Sequence, residues 1–134
     1  MTKFVEFVQG WSNDPNAVKP VFLHLKDVLQ KCEGSTMTFK PRPGISYSLR
    51  GGWPESDREM FVMVDVVDDD PEDRWLSVCF YDDQVTDPDE LGDWAPSGLG
   101  DQDARCFTLE NDDSGMVAYT EARIHEAWNA SKTA

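Results

Sequence analysis

Basic charge, histidine and paired cysteine are all scarce in this chain. Its 12 Lys and Arg stand against 26 Asp and Glu, a formal net charge of -14 at pH 7. A field of that sign repels nucleic-acid phosphates and anionic membranes and attracts cations or basic protein surfaces, so direct nucleic-acid binding and membrane binding are not expected. The two histidines, His24 and His125, fall at the edges of apolar helical stripes and outside any H-E-x-x-H pattern. They read as surface or structural residues. Cys32, Cys79 and Cys106 form no C-x-x-C pair, and each sits in an apolar run. They read as buried reduced thiols in a reducing compartment, the cytoplasm. With no G-x-S-x-G and no Walker loop, no familiar catalytic motif is present, and neither an enzyme activity nor a cofactor is expected. The start MTKFVEFVQGW carries one early Lys, and Glu6 interrupts its short apolar run, so it reads neither as a signal peptide nor as a membrane span.

What the chain does contain is enough apolar material for a core: 40% of its 134 residues, with five Trp, seven Phe and three Tyr. That amount offsets ordering entropy in one domain spanning 1–134. Between Asp14 and Cys32, the residues Val18, Val21, Phe22, Leu25, Val28, Leu29 and Cys32 recur in steps of three and four, which predicts one helical face. Asn13 or Asp14 caps it ahead of Pro15, Pro20 belongs to its first turns, and Gly34 stops it. Residues 1–11 are read as a candidate short helix that packs Phe4, Phe7 or Val8 on the core. After Gly34 the period changes to two. Met37 and Phe39, then Ile45, Tyr47 and Leu49, alternate with polar residues as in strands, followed by strands over 58–67, 74–81 and 105–109. Short connections make the sheet antiparallel. A last helix follows Asp112, Asp113 or Ser114 and aligns Val117, Ile124, Ala127 and Trp128. The expected fold class is α+β, a two-layer sandwich whose sheet of about five strands is covered by an N-terminal and a C-terminal helix.

The acidic tracts raise the question of metal. Counting an EF-hand loop from Asp87 places Asp89 and Gly92 correctly but puts Leu91 and Gly98 where ligands belong, so the match fails. The tract from Asp68 to Asp73 is shaped by Pro71 into a hairpin turn, and its carboxylates are expected in solvent. From Asp82 to Asp103 there is no Lys or Arg, and this stretch reads as a long irregular loop that either tucks Trp94 back onto the core or presents it as an aromatic anchor inside an acidic rim. Against this background FKPRPGISYSLRGGW gathers Lys40, Arg42 and Arg50. Arg42-Pro43-Gly44-Ile45 fits a type II turn, Pro41 marks an edge strand, and Gly51 and Gly52 loosen the strand exit. The basic side chains either pair with the acidic surface or form an anion pocket with Arg58 and Trp53.

The order of a capped helix, an I-S-Y-S-L strand after a proline turn, paired strands, and CFTLEN leading into SGMVAYTEARIHEAW resembles the YdhG-like group of small cytosolic proteins. The resemblance covers most of the chain from Asp14 to Trp128. It implies an α+β fold more than a reaction, and, through one branch treated as frataxin-like iron carriers, metal carriage. That branch implies acids on the first helix, where this chain offers only Asp14, Asp27 and Glu33, so no iron ligand is transferred.

Three functions lead, with an enzyme acting through an unrecognised constellation as a fourth. The first is a non-catalytic binding or adaptor domain that recognises a protein or small ligand through Arg42, Tyr47, Arg50, Trp53 and Trp94. The second is a frataxin-like carrier of iron or another metal, and the third a DNA mimic that inhibits a basic DNA-binding protein. The chain is expected to be a monomer or a weak homodimer.

Overall fold

Two helices precede the sheet in the computed structural model, which describes residues 2–133. α1 (Thr2–Gly10) buries Phe4, and its Phe7 ring stacks on Tyr47 at 3.9 Å between centroids. α2 (Lys19–Gln30) buries Val21, Phe22, Leu25, Val28 and Leu29, the stripe expected from the sequence. It starts later than expected. Residues 14–18 form a turn in which the Asp14 carboxylate accepts the backbone N–H groups of Val18 and Lys19, at 3.0 and 2.9 Å, with Pro20 in the first turn. Asp14 therefore serves the helix from outside it, satisfying donors that have no intrahelical partner.

Among the described residues the sheet has six strands: β1 (Thr36–Arg42), β2 (Ser46–Gly52), β3 (Val62–Val67), β4 (Trp75–Tyr81), β5 (Asp93–Leu99) and β6 (Gln102–Leu109). Their spatial order is β1-β2-β3-β4-β6-β5, and every pairing is antiparallel. α3 (Ser114–Lys132) closes the chain, with the Asp113 side chain accepting the Gly115 N–H as its cap. The α+β layout is as expected, with one strand more. β5 lies in the stretch expected to be an irregular loop. Its sequence DWAPSGL has no apolar alternation and contains a proline, and its register shifts between Ala95 and Leu99, so pairing with β6 alone makes it a strand. An edge position tolerates the missing N–H of Pro96.

Alternation assigns each strand residue to one of two faces. Leu49, Val64, Val66, Val78, Phe80 and Phe107 meet α1, α2 and α3 in the main core and are wholly buried. Each such side chain contributes roughly 1.5–3 kcal/mol of transfer free energy. Among the described residues, no helix covers the opposite face. Its β4–β6 half holds a smaller apolar cluster of Met60, Cys79, Tyr81, Leu99 and Ala104.

Several local expectations are corrected by packing. Gly51 and Gly52 lie within β2 rather than loosening its exit. A Cβ on Gly51 would stand 3.1 Å from Leu29, Phe61 and Val62, so the residue is small because the core approaches its backbone. Ile45 belongs to the β1–β2 turn, not to the strand, and is exposed. The turn itself is as predicted, with Gly44 at φ +85° and the Ile45 N–H donating to the Arg42 carbonyl at 2.9 Å. Asp68 does not point into solvent. It is buried, accepting the Gly44 N–H at 2.8 Å and Arg74 Nε at 2.8 Å, so it locks the turn of one hairpin to the next strand. Cys79 and Cys106 are joined in a disulfide across β4 and β6, and Cys32 alone is a buried free thiol. No C-x-x-C spacing announces that pairing, because strand register creates it. The reducing-compartment reading thereby loses two of the three free thiols on which it rested. Among the described residues, no helix is long and apolar enough to cross a membrane.

Candidate functional site

The helix-free face is organised in rows across the strands. Lys40, Ser48, Asp65, Ser77 and Thr108 are successive register partners from β1 to β6. On one side of that row lie Arg42, Ser46, Val67 and Trp75; on the other lie Thr38, Arg50, Met63, Cys79 and Cys106. Asp65 occupies the middle strand of the polar half. It is only 9% exposed, and its Oδ1 has no hydrogen-bond partner among the described residues. Burial pushes its carboxyl above the ordinary carboxylate range, while the Ser48 hydroxyl and the charges of Arg50 and Arg42 pull it back. A buried acceptor left unfilled is costly.

Both arginines bond serine hydroxyls of this face; Arg50 is partly buried, and Arg42 is exposed. Arg42 Nη2 donates to Ser46 Oγ at 3.0 Å, and Arg50 Nε donates to Ser48 Oγ at 3.1 Å. Arg50 Nη1 and Lys40 Nζ each come within 3.7 Å of Glu59 Oε1. Arg42 makes no carboxylate ion pair among the described residues, so its guanidinium keeps donor capacity for an external acceptor.

The five candidate residues from the sequence do not form one surface. Arg42 and Arg50 come together on the helix-free face. Tyr47 projects from β2 to the other side, where it stacks on Phe7 and lines a groove of about 380 Å³ with Lys3, Glu6, Pro41 and Arg74. Trp53, just beyond β2, lies over Gly34, where a Cβ would stand 2.9 Å from its ring. Trp94 is 56% exposed on β5. Three strands separate β2 from β5, roughly 20 Å at about 4.8 Å per step, so Trp53 and Trp94 do not share a concavity. Arg58 is turned away as well, bidentate to Asp83 at 2.7 and 2.8 Å and 4.2 Å from the Tyr81 ring centroid.

The acids of 82–103 serve largely as internal ties. Asp82 accepts Arg105 Nε at 2.9 Å, and Asp103 accepts the Ser97 N–H at 3.1 Å. Asp87 accepts the N–H groups of Leu91 and Gly92 and the Tyr119 hydroxyl. Burial alone would raise the Asp87 carboxyl, but those hydrogen bonds and the charge of Arg105 outweigh it and hold the group below the usual range. Among the described residues, no group of three or more His, Cys, Asp or Glu is placed to hold a metal ion. His24 pairs with Glu121, and His125 is exposed.

Asp65 is the residue that sequence reasoning missed. The signal was present as one acid inside the apolar strand VMVDVV, but its arginine and serine neighbours come from other strands. Comparisons with models of known protein families, with curated proteins and with solved structures each give no match.

Proposed function

We propose that the chain is a non-catalytic binding or adaptor domain that recognises a protein partner through the helix-free face of its sheet, with Arg42, Arg50 and Asp65 at the centre. The observation that carries this reading is the buried Asp65 with an unfilled acceptor, placed between two arginines that bond only hydroxyls or a weakly held glutamate. Small-ligand sites are typically concave, whereas this centre lies on a sheet face, which favours a protein surface over a small molecule. The partner supplies a carboxylate to Arg42 and a donor to Asp65. Charge of opposite sign around the site sets register and encounter rate. Trp94 belongs to this reading only as a separate patch at the far edge.

In this reading the protein is cytoplasmic, free of membranes and nucleic acid, and monomeric or weakly dimeric. Its place beside the YdhG-like group is part of the same proposal, supported by element order alone. Metal carriage draws less support because, among the described residues, no ligand cluster accompanies the acids. A DNA mimic draws less because Asp68, Asp82, Asp83 and Asp87 are engaged within the chain.

The test is affinity capture with the wild-type protein, identification of the retained partner, and titration of that purified partner against Arg42→Ala/Arg50→Ala. Two lost charge-assisted contacts weaken binding by at least about 10-fold while the thermal midpoint stays near that of the wild type. Unchanged affinity in the folded double variant would remove the face from the proposal.

A further inference from the structure

The Cys79–Cys106 disulfide lies on the helix-free face, in the row beside Asp65. Its two residues are direct partners in a ladder that runs from Leu76↔Leu109 to Tyr81↔Ala104, so backbone pairing holds them together whether or not the sulfurs are bonded. The two ends are not equivalent. Cys79 is 6% exposed, whereas Cys106 is only partly buried. A thiolate arriving from solvent therefore meets the Cys106 sulfur first, and Cys79 becomes the leaving group. Ser77 Oγ stands 3.6 Å from Cys79 Sγ. A disulfide sulfur carries no hydrogen, so the serine hydroxyl is the donor, and it points at the atom on which negative charge develops as the bond breaks.

We infer that Cys79–Cys106 is a reversible thiol–disulfide exchange site for a dithiol reductant, with Cys106 as the attacked sulfur and Ser77 as a positioning residue for the departing Cys79. In the first step a dithiol thiolate forms a bond to Cys106 Sγ, the Cys79–Cys106 bond breaks, and Cys79 leaves as a thiolate hydrogen-bonded by Ser77. In the second, the other thiol of the reductant, deprotonated, attacks its own sulfur in the mixed disulfide and releases the Cys106 thiolate. The two thiolates take up the two protons that the dithiol gave up. Two electrons move from the dithiol to the protein disulfide, leaving two protein thiols and an oxidised dithiol. Asp93 stands opposite Cys106 on β5, and the chain is strongly acidic overall, so neutral or cationic thiols reach the site more readily than anionic ones. The exchange does not depend on the face having a partner.

The experiment uses the oxidised full chain without denaturant. Dithiothreitol is added, and aliquots are alkylated in denaturant and counted by mass. Accessible thiols rise from one, Cys32, to three at a rate proportional to reductant, with far-UV dichroism and tryptophan fluorescence unchanged. A cationic monothiol, cysteamine, trapped by acid quench, gives an adduct on Cys106. Ser77→Ala slows reduction about fivefold, the factor that one ordinary hydrogen bond carries, and Ser77→Thr restores it. Reduction only under denaturing conditions, collapse of the fold on reduction, an adduct on Cys79, or wild-type kinetics in Ser77→Ala would each overturn the assignment.

Discussion

On the helix-covered side of the sheet Leu49, Val64, Val78 and Phe107 are closed off from water by three helices, whereas one residue along, the same strands turn Ser48, Asp65, Ser77 and Thr108 to a side that no helix among the described residues covers. The first set is buried by apolar neighbours and needs nothing further. In the second, Ser48 and Asp65 are also buried, and what surrounds them is polar: arginine side chains laid over hydroxyls, with one carboxylate oxygen unpaired. The comparison teaches that burial alone does not define a core. On one face it releases water from apolar surface, while on the other it removes water from groups that still need a hydrogen-bond partner.

The sharpest way to test the contrast is to damage the apolar side. Phe22 is wholly buried and stacks on Phe4 at 5.8 Å, so Phe22→Ala removes a large side chain from beneath the helices. A loss of about 3–5 kcal/mol is expected by urea denaturation. A loss below about 1 kcal/mol would mean that the helical layer is not the main source of stability.

Asp65→Asn acts on the other face with the opposite sign. Because burial raises the folded-state pKa of Asp65, its contribution favours folding below the ordinary carboxylate value of 3.8 and is lost as pH rises through the folded-state value. The asparagine variant does not ionise, so relative to wild type it gains stability on passing from acid to neutral pH. Equal pH profiles for the two proteins would show that Asp65 titrates alike in the folded and unfolded chain.

Trp94→Ala has the smallest expected effect. The side chain is more than half exposed on an edge strand, and its removal should stay within about 0.5 kcal/mol of wild type by thermal unfolding. A larger loss would make Trp94 a structural residue and end its use as a second binding patch.

Much of the layered fold was legible in the sequence. The step of three and four from Val18 to Cys32 and the alternation around Tyr47 and Leu49 record the face that each element buries. Arg42-Pro43-Gly44-Ile45 was legible for a local reason, since only a turn with positive φ at its third residue uses that pair so directly. β5 was not legible, because its residues have no pattern of their own and become a strand only where β6 offers an edge. The site was legible in part. Arg42 and Arg50 stood out as basic residues in an acidic chain, but the carboxylate on which both charges act, Asp65, lies in a strand that reads as core.

By itself, then, the sequence determined the class of the fold, the first two strands and their turn, and the excess of negative charge, because periodicity and backbone chemistry act over a few residues. Tertiary structure alone decided that Asp68 is a buried tie, that Cys79 meets Cys106, and that Asp65 sits unpaired between arginines. Each of these depends on register between strands distant in the chain, and register is set only when the apolar faces of those strands find the helices that cover them.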